Sequence, residues 1–158
     1  MCLRVPYSAL HDKNEITDVF NGGIRRLIIP QGSCGKISYI SSEVYNNEMA
    51  FDGFAIDLWA AGSILYIMLV GFPPWDAPNI TDMRYLTIIS GRLHDQLKAW
   101  DVHISNEAAD LLQTMLRENP EDRLTLAEVM MHPWVMNEDL QIPITVIEED
   151  DYLSDSSE

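Results

Sequence analysis

The amino-acid sequence predicts a mainly α-helical protein. The first observation is an uninterrupted apolar run, Leu58–Phe72, with one carboxylate, Asp57, before it and the pair Pro73-Pro74 after it. An apolar run that ends at prolines is typical of a helix that packs inside a protein. The second observation is Thr125 with Glu128 three residues later, the capping-box pattern that marks the start of a helix.

The apolar run fits two structures, a membrane span and a helix buried on every side in a protein core. The run is shorter than the ~18–20 residues that cross a bilayer, and no basic residue flanks it to set an orientation. These features favour a core helix over residues 56–71. Gly71 is expected to end this helix, since glycine commonly follows the last helical residue.

Three further helices are predicted downstream. The first begins at an Asn79 N-cap and ends at Gly91, the second begins at Ser105, and the third begins at Thr125 and ends near Met131. Helical spacing places eight apolar residues on the inner faces of the first two of these helices. These residues are Ile80, Met83, Leu86 and Ile89, and then Ala109, Leu112, Met115 and Leu116.

The two ends of the chain differ from its helical middle part, residues 44–136. Residues 1–43 are weakly periodic and contain glycine and proline breakers, which predicts a long loop with a short strand at residues 26–29. Residues 137–158 contain eight of the 25 acidic residues and no Lys or Arg, which predicts a disordered acidic tail.

Composition excludes several classes of function. The formal net charge is −15, and an acidic surface repels the phosphates of nucleic acids and of anionic membranes. The two cysteines, Cys2 and Cys34, and the four histidines have no metal-ligand spacing, so no metal site is predicted. Two lone thiols and an N-terminus without a signal peptide indicate a cytoplasmic or nuclear protein.

Several short motifs follow one another along residues 34–135. They are Cys34-Gly35-Lys36-Ile37-Ser38-Tyr39-Ile40-Ser41-Ser42-Glu43, Asp57-Leu58-Trp59-Ala60-Ala61-Gly62, Gly71-Phe72-Pro73-Pro74-Trp75, Arg123 and His132-Pro133-Trp134. Their order and spacing resemble the C-terminal lobe of the protein kinase family, from the end of the activation segment to the last helix. Tyr39 and the closing His-Pro-Trp resemble serine/threonine kinases, and the calcium/calmodulin-dependent group in particular.

The resemblance implies a kinase-like C-terminal lobe that is truncated before the catalytic loop, with an activation-segment-like loop at residues 1–43. In the family, the preceding helix and the catalytic loop cover the central helix. Without that cover, part of the apolar surface of this helix is expected to be exposed. The side chains expected to lose cover are Leu58, Ile64, Leu65 and Met68.

The resemblance also implies roles for individual residues. Gly35, Lys36 and Tyr39 would shape the pocket for the substrate residue that follows the phosphoacceptor, and Glu43 would form an ion pair with Arg123. The alternative is that Glu43 and Arg123 are unrelated surface charges.

Asp57 has two possible roles. By resemblance, it would accept hydrogen bonds from the backbone of the catalytic loop. From the residues alone, it is equally well placed as a plain N-cap of the long helix.

The groups that transfer a phosphoryl group are not found in this sequence. Kinases need a Gly-rich loop, a lysine, a catalytic Asp, and Asn and Asp side chains that hold magnesium, and none of their motifs occurs here. In addition, Lys36 stands where a threonine is usual and Ser42 where a proline is usual. The chain alone is therefore expected to have no catalytic residue and to bind no ATP or magnesium, although the family uses both.

Two functions follow from this resemblance. The first is that of a serine/threonine kinase domain, whose family reaction moves the γ-phosphoryl group of ATP to a protein hydroxyl. The alternative is a non-catalytic kinase-like remnant that binds proteins through residues 79–91. The expected partner is accordingly a protein substrate or a docking protein.

Overall fold

The computed structural model describes residues 15–17, 24–29, 32 and 35–137, with only the backbone for residues 15–17 and 24–26. The described part is mainly helical, as the sequence predicts. Its elements in chain order are β1 (Glu15–Thr17), β2 (Ile24–Arg26), α1 (Ser42–Asn46), α2 (Gly53–Val70), α3 (Met83–Ile89), α4 (Leu93–Ala99), α5 (Asn106–Met115), α6 (Leu126–Met130) and α7 (Pro133–Met136). Both cysteines, and the acidic tail after Asn137, lie outside the described residues.

The strands form a small antiparallel pair in which Glu15 lies opposite Arg26. The strand predicted at residues 26–29 is therefore displaced, because β2 ends at Arg26 and Ile28 makes only an isolated bridge with Phe51. This bridge has two backbone hydrogen bonds, of 2.8 and 3.0 Å, and ties the N-terminal segment to the residues just before α2.

Helix α2 starts earlier than the sequence predicts. Its N-cap is Asp52, whose carboxylate accepts from the Phe54 N–H at 3.1 Å. Asp57 lies in the second turn, so the alternative that Asp57 is a plain N-cap is wrong. The predicted end is confirmed: Gly71 has φ +94°, a left-handed conformation that suits glycine, and its N–H donates to Ile67 O.

Two of the predicted later helix starts are confirmed. Ser105 caps α5 by accepting from the Ala108 N–H, and Thr125 and Glu128 form both halves of the capping box at the start of α6. All four residues predicted for the inner face of α5 and its C-cap are buried. The short helices α1 and α7 were not predicted, because their periodicity is too brief to detect.

The prediction for α3 is wrong in its start and in half of its inner face, but its end is confirmed. Asp82, rather than Asn79, is the N-cap. Gly91 closes the helix as predicted, since it follows the C-cap with φ +82° and its N–H donates to Ile88 O. A separate helix, α4, comes next.

The buried residues of α3 are Tyr85 and Ile88, whereas Met83 and the preceding Ile80 are exposed. The other two predicted residues, Leu86 and Ile89, are partly buried, and Ile89 packs against the core. The predicted stripe leaves out Tyr85 and Ile88 because more than one side of this segment carries apolar side chains.

The core lies between α2, α3, α4 and α5. Its buried side chains are Trp59, Tyr66, Trp75, Tyr85, Ile88, Leu93, Leu97, Ala109, Leu112 and Leu116. Helices α2 and α5 approach closely at Gly62, where a Cβ atom would lie 3.1 Å from both Leu116 Cδ2 and Met115 Cβ. The absence of a side chain at Gly62 therefore sets the spacing of these two helices.

The opposite face of α2 is not covered by the described residues. Phe54, Ile64 and Met68 are exposed, the last at 76%. The helix is thus buried on one side only. The expected exposure is observed at Ile64 and Met68, whereas Leu58 and Leu65 are half-buried and Leu65 packs against the core. By length and composition alone α2 could cross a membrane, a test that core helices of soluble proteins also pass.

Candidate functional site

The site is organised around an ion pair between Glu43 and Arg123, which lie 80 residues apart in the chain. Arg123 Nη1 is 2.9 Å from Glu43 Oε1, and Nη2 is 3.3 Å from Oε2, so the planar guanidinium meets the carboxylate at two points. The Arg123 side chain is fully buried and that of Glu43 is mostly buried. The two residues are therefore not unrelated surface charges.

Three backbone carbonyls satisfy the rest of the guanidinium. Arg123 Nη1 donates to Ala55 O at 2.7 Å, Nη2 to Glu118 O at 3.2 Å, and Nε to Arg117 O at 3.1 Å. The guanidinium also lies over the Trp59 ring, 4.8 Å from its centroid. Arg123 thus joins the start of α1, the first turns of α2 and the loop after α5.

Trp59 fixes the segment before α1 as well. Its indole Nε1–H donates to Ile40 O at 3.1 Å. Trp59 is completely buried and packs against Trp75, with ring centroids 5.0 Å apart. The loop that ends at Glu43 therefore rests on α2 through Trp59 and on Arg123 through the ion pair.

The three residues predicted to bind substrate lie together at the exposed side of this loop. Gly35 has φ +111°, and a Cβ atom there would lie 2.9 Å from Ile40 Cγ2, so the turn requires glycine. The turn is closed by the Tyr39 N–H, which donates to Lys36 O at 2.9 Å. The Lys36 ammonium lies 5.6 Å from the centroid of the Tyr39 ring.

Asp57 lies apart from this loop, on the uncovered side of α2. Its side chain is exposed, and the residues that the structure describes offer its carboxylate no hydrogen-bond partner. Along the same face lie Phe54, Ala61, Ile64 and Met68, at the spacing of one helix side. Asp57 is therefore a single acceptor in an otherwise apolar stripe.

A family model described as the protein kinase domain matches residues 20–135. This match covers most of the chain, including every residue of the site. The chain belongs to the protein kinase family. The helical fold and the order of the motifs agree with the kinase C-terminal lobe.

Curated relatives of this kinase chain are serine/threonine and calcium-dependent kinases. It is 39% identical over 105 residues to Calcium-dependent protein kinase 12 of Arabidopsis thaliana, covering 66% of this chain and 20% of the relative. It is 38% identical over 117 residues to Calcium-dependent protein kinase 1 of Oryza sativa subsp. japonica, covering 72% and 22%. For Serine/threonine-protein kinase DCLK2 of Mus musculus the identity is 37% over 106 residues, covering 66% and 14%. The kinase chain thus spans less than a quarter of the length of these relatives.

Protein kinases use ATP and magnesium, and the described residues do not fit a site for either. Within the described ranges, no three His, Cys, Asp or Glu side chains lie together in a way that could hold a metal ion. The groups that kinases use to hold the phosphates are likewise not found at described positions. What the described part of the chain offers is the loop before α1, held by a buried ion pair.

Sequence reasoning missed Tyr85 as a member of this network. Its hydroxyl donates to Glu118 Oε1 at 3.0 Å, and the Glu118 carbonyl in turn accepts from Arg123. Burial raises the pKa of Tyr85, and the Glu118 carboxylate adds to the rise, so the hydroxyl stays protonated and donates. The available signal was a tyrosine at helical spacing from Ile88, since a buried hydroxyl needs a partner.

Proposed function

We propose that this chain is the substrate-side part of a serine/threonine protein kinase domain and that it does not transfer a phosphoryl group by itself. The observation that carries the proposal is the buried, two-point ion pair between Glu43 and Arg123. This pair holds the end of the loop against the helical body, which is the support that a substrate-binding loop needs. The family acts on protein substrates, and this loop is the part of the chain that would meet one.

In this proposal, Gly35, Lys36 and Tyr39 form the wall that meets the substrate residue following the phosphoacceptor. Lys36 is exposed beside the Tyr39 ring, so a cation and an aromatic face are presented together. These two groups favour a substrate that has an acidic or an apolar residue at that position. The presence of Lys36 in place of the usual threonine would therefore change which substrate residue is preferred directly after the phosphoacceptor.

Ser42 can take over the support that the usual proline gives. Ser42 is buried, and its hydroxyl donates to Glu43 Oε2 at 3.4 Å. This contact is long for a hydroxyl donor, and the carboxylate is oriented chiefly by Arg123. The substitution is therefore compatible with a formed loop end.

Asp57 is proposed to receive the catalytic loop. Its carboxylate is an exposed acceptor within the apolar face of α2. A segment that covers this face would have to bring backbone N–H donors to Asp57, because a carboxylate buried without donors is costly. A kinase segment that contributes the catalytic loop would meet this requirement.

A chimera tests the proposal directly. Residues 35–136 would replace the aligned segment of the Arabidopsis Calcium-dependent protein kinase 12, and phosphorylation of a peptide library would be measured. We expect an active enzyme whose preference after the phosphoacceptor changes when Lys36 is replaced by threonine. Glu43→Gln in the chimera should reduce activity, whereas Glu48→Gln, at an exposed position, is the matched control. A folded chimera with no activity would contradict the proposal.

Inactivity of the isolated chain is tested separately by thermal unfolding with and without magnesium and ATP. A ligand that binds only the folded state raises the melting temperature. We expect no change at millimolar nucleotide. A rise in melting temperature that depends on nucleotide concentration would show that the isolated chain binds ATP, and would contradict this prediction.

The second candidate function is a non-catalytic module that binds proteins through residues 79–91. The exposure of Ile80 and Met83 favours it, because large apolar side chains held in solvent are typical of protein contact sites. A folded but inactive chimera, together with specific binding at this surface, would favour this function over the first.

A further inference from the structure

The turn between α2 and α3 holds two apolar side chains in solvent beside a cavity. Ile80 is 72% and Met83 is 70% exposed. The cavity has a volume of about 420 Å³. The residues that line it are Asp76, Ala77, Asn79, Thr81, Asp82, Met83 and Arg84. These residues and Ile80 are called the 76–84 surface below.

Hydrogen bonds that the Asp82 carboxylate accepts hold the base of the 76–84 surface. One carboxylate oxygen accepts from the N–H groups of Asp76 at 2.7 Å and Ala77 at 3.3 Å, and the other from Arg84 and Tyr85. Burial alone would raise the pKa of Asp82, but the four backbone donors together lower it by more, so the net shift of the pKa is downward. Asp82 is accordingly ionised, and its carboxylate is occupied by hydrogen bonds within the turn.

Asn79 holds the tip of the turn on both sides of Ile80. Its Oδ1 accepts from the N–H and the hydroxyl of Thr81, and its Nδ2 donates to the Tyr45 hydroxyl at 3.3 Å. Ile80 is therefore presented on a turn that is tied to α1. A turn whose backbone is already held loses little entropy on binding, which favours a side chain presented on it as an anchor.

The exposed charge of this surface is negative. Arg84 is mostly buried. Its guanidinium donates to Pro73 O at 3.2 Å and forms an ion pair with Asp76 Oδ1 at 2.6 Å. The Asp76 side chain remains 92% exposed, and the whole chain has a net charge of −15. Two copies would bring like charges together, which disfavours a self-contact.

We propose that the 76–84 surface binds a protein partner through a short segment in which a Lys or Arg is flanked by apolar side chains. The apolar side chains pack on Ile80 and Met83, and the cation meets the exposed Asp76 carboxylate. The inference rests on the protein-binding function proposed above and requires no catalysis. Peptide binding can therefore fail while the kinase proposal stands, and the kinase proposal can fail while peptide binding is observed.

The test is selection of a phage-displayed library of random 12-residue peptides on the full 158-residue chain. The best peptides are then synthesised, and their dissociation constants are measured by fluorescence anisotropy at low and high salt. We expect sequences with a basic residue between apolar ones. Their affinity should fall at high salt, because the contact with Asp76 is exposed and is screened.

Variants locate the binding. Ile80→Ser should weaken it about tenfold or more and Asp76→Asn about threefold, as expected for an anchor and a rim charge. Leu126→Ser and Asp95→Asn, at exposed positions elsewhere, are the matched controls and should change it less than twofold. Circular dichroism melts should show that all four variants are folded, since each altered side chain is exposed.

Three results would overturn the proposal. One is enrichment of no peptide above background. The second is selected peptides that bind the Ile80→Ser variant as tightly as the original chain. The third is selected peptides that lack basic residues and bind with equal affinity at low and high salt.

Discussion

Replacement of Arg123 by methionine is expected to remove a large part of the stability of this chain. Methionine fills most of the volume but donates no hydrogen bond. The change leaves Glu43 mostly buried without its counter-ion, and leaves the carbonyls of Ala55, Arg117 and Glu118 without this donor. Breaking a buried ion pair from one side costs about 3–5 kcal/mol, mainly because the other charge is left unpaired.

The lower end of that range applies here, since the Glu43 side chain retains 16% of its exposure and water can reach it. A cost of about 3 kcal/mol is a large fraction of the 5–15 kcal/mol that typically stabilises a domain. At about 2–4 °C per kcal/mol for a chain of this size, the melting temperature should fall by about 6–12 °C.

The assay is urea unfolding followed by tryptophan fluorescence, because Trp59 and Trp75 are buried next to each other in the core. Arg123→Lys is the informative control: it keeps the charge but cannot make the two-point contact, so it should still lose about half as much stability. Glu43→Gln combined with Arg123→Met should cost less than the sum of the single changes by about 1–3 kcal/mol. A loss below about 1 kcal/mol for Arg123→Met, or strictly additive effects, would refute the reasoning.

Four further predictions concern the core and the turn before α3. The Tyr66 hydroxyl is buried with no described partner, so Tyr66→Phe should be neutral or stabilising, whereas Tyr85→Phe removes a made hydrogen bond and should cost about 1 kcal/mol in urea unfolding. Burial raises the pKa of Tyr66 to about 12. The free energy of unfolding should therefore be unaffected by this group below pH 10 and should decrease as the pH rises from 10 to 12, because the unfolded chain loses the proton first. Thermal melts at these pH values should show a smaller decrease for Tyr66→Phe than for the original chain. Gly62→Val should destabilise by about 1–3 kcal/mol through overpacking, while Ala61→Val on the exposed face should not, and equal unfolding midpoints would contradict this. The pKa of Asp82 is lowered, so its contribution is present above the ordinary carboxyl pKa and is lost as the pH falls below about 4, and acid titration of Asp82→Asn should lack this step.

Local signals in the sequence were reliable where one residue type performs one local task. The capping box at Thr125, the N-cap at Ser105 and the left-handed cap at Gly71 all form where the residues predict them, because their hydrogen bonds join neighbours in the chain. The start of α3 could not be chosen this way. Asn79 and Asp82 are both good caps. In the fold Asn79 contacts Tyr45 of α1 and accepts from Thr81, while Asp82 accepts from the first N–H groups of α3.

The buried face of α3 also depended on tertiary structure. Several faces of that segment carry apolar side chains, so periodicity alone could not separate the side of Ile80 and Met83 from the side of Tyr85 and Ile88. The aromatic rings of Trp59 and Trp75 decide between them, since Tyr85 packs on both.

The sequence by itself determined the family, the helical class and the identity of the two charges that support the loop, because ordered motifs and local caps are properties of the chain alone. Only the tertiary structure decided that Glu43 and Arg123 meet at two points in a buried site, since that contact spans 80 residues. It also decided that α2 is covered on one side and leaves Asp57 exposed on the other. Burial of one helix face is determined by which other elements pack against it, and no local pattern contains that information.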